Sequence, residues 1–164
     1  MAKALNDDIA IRAATPADLR HVLHHRRAMF EEMGYKDRAA LEAMEKNAEP
    51  FFAARLVDGS YLGWLAVTRA GRVVAGGGVG ILAWPAHPRD AKPFRATIFN
   101  VYTEPEYRLR GIARRLMEVM IDWCREAGFG VVNLHASDEG LPLYLSMGFE
   151  PTRELYLALK ESGR

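Results

Sequence analysis

The run Ile98-Phe99-Asn100-Val101-Tyr102-Thr103-Glu104-Pro105-Glu106-Tyr107-Arg108-Leu109-Arg110-Gly111-Ile112-Ala113-Arg114-Arg115-Leu116 changes character twice. It opens rich in β-branched and aromatic residues, as a strand does. Glu104-Pro105-Glu106 then breaks it, and apolar residues recur at helical spacing from Leu109. A helix start leaves backbone N–H groups without carbonyl partners and carries partial positive charge. Strand, turn and helix in that order aim those donors outward, which suits a phosphate or pyrophosphate. Gly111 has no Cβ to keep a ligand from its backbone, and Arg108 and Arg110 add positive charge and paired donors.

Outward from this junction the chain alternates strand and helix signals. Ile9–Ala14 reads as a first strand. Thr15-Pro16-Ala17-Asp18 is a helix start, with Thr15 as N-cap, Pro16 at the first position and Asp18 against the positive end. Leu19, Val22, Leu23, Met29, Phe30 and Met33 keep roughly helical spacing up to Gly34. Lys36–Asn47 reads as a second helix, and Pro50 argues for a boundary, with Phe51–Leu56 able to extend the layer after a kink. Tyr61–Thr68 and Val73–Ala83 form a hairpin, followed by a proline-rich loop Trp84–Asp90 and the strand Phe94–Thr103. Leu109–Ala127 is the main helix, burying Ile112, Leu116, Val119, Met120 and Trp123. Val131–His135 (strand), Glu139–Met147 (short helix) and Thr152–Leu159 (final strand) complete the chain.

The composition points to one soluble domain, spanning 1–164 with a core over about 9–160. A net charge of +1 gives no general attraction to nucleic acid. The single cysteine, Cys124, excludes a disulfide framework within the chain and fits a reducing compartment. Met1–Asp8 shows no signal-peptide apolar core, and the most apolar stretch, Val73–Ala86, is shorter than the roughly 20 residues that span a bilayer. The expectation is a cytoplasmic protein that binds neither membrane nor nucleic acid. His21, His24 and His25 lack a local carboxylate or cysteine and adjoin Arg26 and Arg27, so no metal site is expected. Gly76-Gly77-Gly78-Val79-Gly80 is not a dinucleotide fingerprint, since Pro85 and no helix follows; it reads as a bent strand open to close approach.

Asn100-Val101-Tyr102-Thr103, then Pro105, then Arg-x-x-Gly-x-Ala over Arg108–Ala113 resembles motif A of the GNAT superfamily, the acyl-CoA-dependent N-acetyltransferases. Ala136–Phe149, ending Tyr144-x-x-x-Gly148-Phe149, resembles motif B. Both occur in the family's order. The resemblance implies an α/β (α+β) mixed sheet in the GNAT fold. That sheet is mostly antiparallel, has six to seven strands splayed near its centre, and is flanked by about four helices.

The resemblance further implies a reaction: direct attack by a primary amine of a small molecule or peptide on acetyl-CoA, within a ternary complex. Val101 supplies the backbone donor for the oxyanion, while Tyr102 and Thr103 hold pantetheine with it. Arg108, Leu109, Arg110, Gly111, Ile112 and Ala113 bind the pyrophosphate. Arg114 either reaches the phosphates or, like Arg115, pairs with Glu118. Tyr144 protonates the departing thiolate, a role its reference pKa of about 10 permits. Ser137 is a pantetheine contact or simply an N-cap, and Ser137-Asp138 stands where many members carry Asn. Each position also has a plainer reading: Val101 filling the sheet, the arginines solvated, Tyr144 packing against Leu141 and Leu145.

The general base stays open among Glu104, Glu31, Glu32, His135 and a water chain. By analogy the acceptor enters over Met29–Tyr35 and Trp84–Arg89. A non-catalytic acyl-CoA-binding or sensor module is the rival reading. The resemblance also allows a homodimer.

Overall fold

The computed structural model describes residues 8–159. The reading of Met1–Asp8 as lacking a signal core therefore falls, up to residue 7, outside the described residues. The order is β1 (Ile9–Ala13), α1 (Leu19–Glu32), α2 (Arg38–Asp58), β2 (Tyr61–Thr68), β3 (Val73–Ala83), β4 (Phe94–Thr103), α3 (Ile112–Glu126), β5 (Val132–Leu134) and α4 (Leu141–Ser146). Short 3-10 turns at Pro16–Asp18 and Pro105–Tyr107 lead into α1 and toward α3.

The strands form one sheet in the order β1-β2-β3-β4-β5. The first three pairings are antiparallel and β4–β5 is parallel. This is the expected mixed sheet with four helices, but it has five strands among the described residues rather than six or seven. The expected last strand, Thr152–Leu159, pairs with nothing and lies exposed. Its β-like composition supplies propensity, yet a strand also needs a partner edge, and this segment finds none among the described residues.

α3 and α4 cover one face, where Leu116, Met117 and Met120 are fully buried with Val74, Val79 and Ala96 from the sheet. Each such large side chain contributes about 1.5–3 kcal/mol by leaving water. Cys124 packs there as expected, and burial pushes its thiol up to about 11. α1 and α2 cover the other face, where Val22, Ala48 and Phe52 pack with Tyr61 of β2.

The glycine run lets side chains pass close to the sheet. A Cβ on Gly76 would sit 2.7 Å from His25 Nδ1, and one on Gly78 would overlap the Tyr61 ring. Two boundaries differ from expectation. α3 begins at Ile112, because Leu109 and Gly111 both hold positive φ. α2 runs straight through Pro50, where Phe52 and Ala48 bury the helix on both sides of the missing N–H.

Candidate active site

β4 and β5 pair only over Ala96↔Val132, Thr97↔Asn133 and Ile98↔Leu134. β5 ends there, whereas β4 runs on to Thr103. The two strands thus part, and the β4 edge from Phe99 onward loses its neighbour. At the same level β4 carries an extra residue. Gly78 faces Phe99 and Gly76 faces Tyr102, so Asn100 and Val101 together oppose Gly77. Asn100 takes φ 58°, a left-handed conformation that asparagine tolerates.

The bulge turns consecutive side chains to one face. Phe99 packs with the α1–α2 cluster, and Asn100 is buried beside it. Asn100 Nδ2 donates to the Tyr61 hydroxyl at 3.2 Å, while Arg26 Nη1 donates to Asn100 Oδ1 at 3.0 Å. Burial pushes the Tyr61 hydroxyl up to about 12. Val101 returns to the α3 face. The anchoring roles of Asn100 and Arg26 escaped the sequence reading; an Asn at a strand centre was the available signal.

At the end of β4 the chain turns through Pro105–Tyr107 into α3. The N–H groups of Gly111, Ile112, Ala113 and Arg114 have no acceptor among the described residues. The first helical bond is Arg115 N–H to Gly111 O, at 3.2 Å. Space over Gly111 is open: nothing lies within 4 Å of where its Cβ would be. Leu109, also with positive φ, is fully exposed.

The arginine side chains are engaged elsewhere. Arg108 donates twice to Glu32, at 2.6 and 2.7 Å, and to Thr103 O at 2.9 Å. Arg110 donates to Glu106 O at 2.9 Å. Arg114 donates to Ser146 Oγ at 2.6 Å, which joins α3 to α4. Arg115 reaches toward Ile9 O at 3.5 Å, so the expected pairing with Glu118 does not form. What faces outward at this junction is chiefly backbone.

Tyr144 is buried against Phe149, with ring centroids 5.9 Å apart, and burial raises its hydroxyl above the usual phenol range. That hydroxyl has no hydrogen-bond partner among the described residues. Ser137 Oγ accepts from Gly140 N–H at 3.1 Å within the turn that precedes α4; the N-cap of α4 is Gly140, so Ser137 does not cap that helix. Tyr102 lies against the neutral His25 ring, centroids 5.6 Å apart, and its hydroxyl donates to Glu32 at 3.3 Å. Burial, then the nearby carboxylates, push Tyr102 up to about 12. Thr103 Oγ1 is buried without a partner.

Among the base candidates, Glu32 is held by Arg108 and Glu31 by Arg27. His135 stands 3.6 Å from Glu154, and Glu104 meets His24 Nε2 at 2.7 Å. Two cavities open nearby. One, of about 260 Å³, lies between Glu32–Tyr35 and Ala136–Glu139. The other, of about 310 Å³, lies among Arg26, Met44, Asn47, Ala48, Phe51, Phe52 and Phe99. The structure does not bring Trp84–Arg89 to Met29–Tyr35. That loop adjoins Phe94, whereas Glu32 meets Tyr102 and Arg108 at the opposite end of β4. Ten strand residues, about 30 Å, separate the two.

This site sits on a fold with many relatives. The sequence model of the Acetyltransferase (GNAT) family matches residues 19–149, and the chain belongs to that family. A crystal structure of a GCN5-related N-acetyltransferase from Ralstonia eutropha JMP134 is 37% identical, with TM-score 0.87, covering 92% of this chain and 98% of that one. A predicted acetyltransferase from Clostridium acetobutylicum, solved with acetyl-CoA, shares the fold at 23% identity and TM-score 0.82, covering 93% and 96%.

Among curated sequences, an uncharacterised protein from Mycobacterium leprae is 24% identical over 148 residues, which is 88% of this chain. The chloroplastic GCN5-related N-acetyltransferase 2 of Arabidopsis thaliana is 31% identical over 61 residues, 37% of this chain. The chain spans only 35% and 24% of the lengths of those two relatives. Among the described residues no helix is long and apolar enough to cross a membrane.

Proposed function

We propose that this protein is an N-acetyltransferase that moves an acetyl group from acetyl-CoA to a primary amine by direct attack in a ternary complex. The observation that carries the reading is the set of unpaired N–H groups at Gly111–Arg114, opening next to the strand edge that β5 abandons. A diphosphate matches those donors in charge and geometry. The residues present fit the cosubstrate in two further respects. Nothing crowds Gly111, and the orphaned Thr103 Oγ1 offers a polar group where pantetheine would run.

When bound, acetyl-CoA supplies the reactive thioester. Backbone amides of Gly111–Arg114 hold the diphosphate, with Arg108 and Arg110 close by. The Val101 N–H, on the freed part of β4, steadies the negative charge that grows on the carbonyl oxygen. Tyr144, protonated at neutral pH and with its hydroxyl unpartnered, gives a proton to the departing sulfur. His24 and Glu104 stand together at the end of β4, where they can accept the proton that the amine sheds.

Titration calorimetry with coenzyme A tests the first half: micromolar binding that Gly111→Val weakens by 10-fold or more supports it. An acetyl-CoA-consumption screen over amines, amino acids and peptides tests the second. Absence of coenzyme A affinity sinks both halves. Affinity without turnover would leave a binding module.

A further inference from the structure

Arg26 is a charged side chain in an apolar place. It stacks on Phe30 and Phe52, its guanidinium carbon 5.0 and 5.6 Å from the ring centroids. Its neighbour Arg27 has two carboxylates, Glu31 and Glu45, but among the described residues Arg26 has none. Its hydrogen bond is to the neutral Asn100 Oδ1, and its Nε is buried with no partner. Among the described residues lining the cavity of about 310 Å³, Arg26 alone is charged; Met44, Ala48, Phe51, Phe52 and Phe99 form the apolar wall. A desolvated cation without a counter-ion is costly, so the site is incomplete as it stands.

We infer that this cavity takes the acceptor, and that the acceptor is a small amine carrying a carboxylate and an apolar group, of the hydrophobic amino-acid type. This rests on the acetyltransferase reading above. The carboxylate pairs with Arg26, and the apolar group fills the wall of Phe and Met side chains. In an α-amino acid the amine and the carboxylate share one carbon. Holding the carboxylate at Arg26, itself bonded to the bulge residue Asn100, therefore keeps the amine near the Val101 backbone. The neutral amine forms a bond to the acetyl carbon as the carbon–sulfur bond breaks. The amine loses one proton and the sulfur gains one, giving an N-acetyl amino acid and free coenzyme A.

Matched pairs of acceptors test it: L-phenylalanine against phenethylamine, and L-leucine against isoamylamine. The native protein is expected to favour the amino acid by 10²-fold or more in kcat/KM. Arg26→Met, which keeps the apolar stem, is expected to bring that preference to within a few-fold of unity, mainly through KM. Equal rates for acid and amine in the native protein, or a preference that survives Arg26→Met, overturn the inference while leaving the acetyltransferase reading intact. Calorimetry on the native protein, with N-acetyl-L-phenylalanine against N-phenethylacetamide, needs neither turnover nor a stable variant. Tighter binding of the first supports the inference, and equal or absent binding of both overturns it.

Discussion

Asn100 adopts a left-handed backbone within a strand, and its amide group is used at both ends, by Arg26 and toward Tyr61. A hydrophobic residue there would keep strand propensity and lose both bonds, leaving Arg26 with no hydrogen-bond partner among the described residues. Tyr144 has the opposite character: its ring is fixed by packing and its hydroxyl is unclaimed. Because burial raises its pKa, it stays a proton donor across neutral pH. Tyr144→Phe is therefore expected to lower kcat by about 10²-fold, within the usual range for a general acid. Coenzyme A affinity by calorimetry should stay within about 2-fold of native. Unchanged turnover would remove Tyr144 from the proton path.

At the scale of elements, the bulge in β4 and the early end of β5 act together. One re-aims the strand and the other uncovers it, so an unpaired stretch of strand edge appears where the ladder stops. α2 shows packing overriding a local signal. Pro50 costs a backbone hydrogen bond, yet Ala48 and Phe52 hold both halves of the helix on one core. Pro50 itself is exposed, so Pro50→Ala is expected to restore the bond without disturbing packing. A gain of about 1–2 kcal/mol in urea unfolding should follow, the helix preference being partly offset by the looser unfolded chain. A loss of stability would show that the helix is bent around Pro50 to fit the core.

Across the whole molecule, His25 ties α1 to the sheet, resting over Gly76 and against Tyr102. Desolvation by burial lowers its pKa to about 3, with minor repulsion from His24 and His21. Between about pH 6.5 and 3 the unfolded chain holds a proton there that the folded chain does not. Stability is thus complete above about pH 6.5 and falls as the pH drops toward 3. Linkage puts the loss from pH 7.5 to 5.5 at about 1 kcal/mol. Urea unfolding at the two pH values should show this step for the native chain and a smaller one for His25→Phe. An equal step in both would assign the acid sensitivity to other groups.

Much was legible in the sequence because it depends on neighbours along the chain. The strand–turn–helix over Ile98–Leu116, the helix stops at Gly34, Gly128 and Gly148, and the hairpin of β2 and β3 are set by backbone preference and hydrophobic period. Their order was enough for the fold class and the position of the turn whose amides stay unpaired. Tertiary structure decided what depends on residues far apart. It turned Arg108 onto Glu32, 76 positions away, and left the Gly111–Arg114 amides to face outward. It carried α2 past Pro50, set Arg26 beside Asn100, and gave Thr152–Leu159 no strand to join. Spacing along a chain fixes which torsions a segment prefers; only the folded arrangement fixes which buried charge lacks a partner and which edge stays bare.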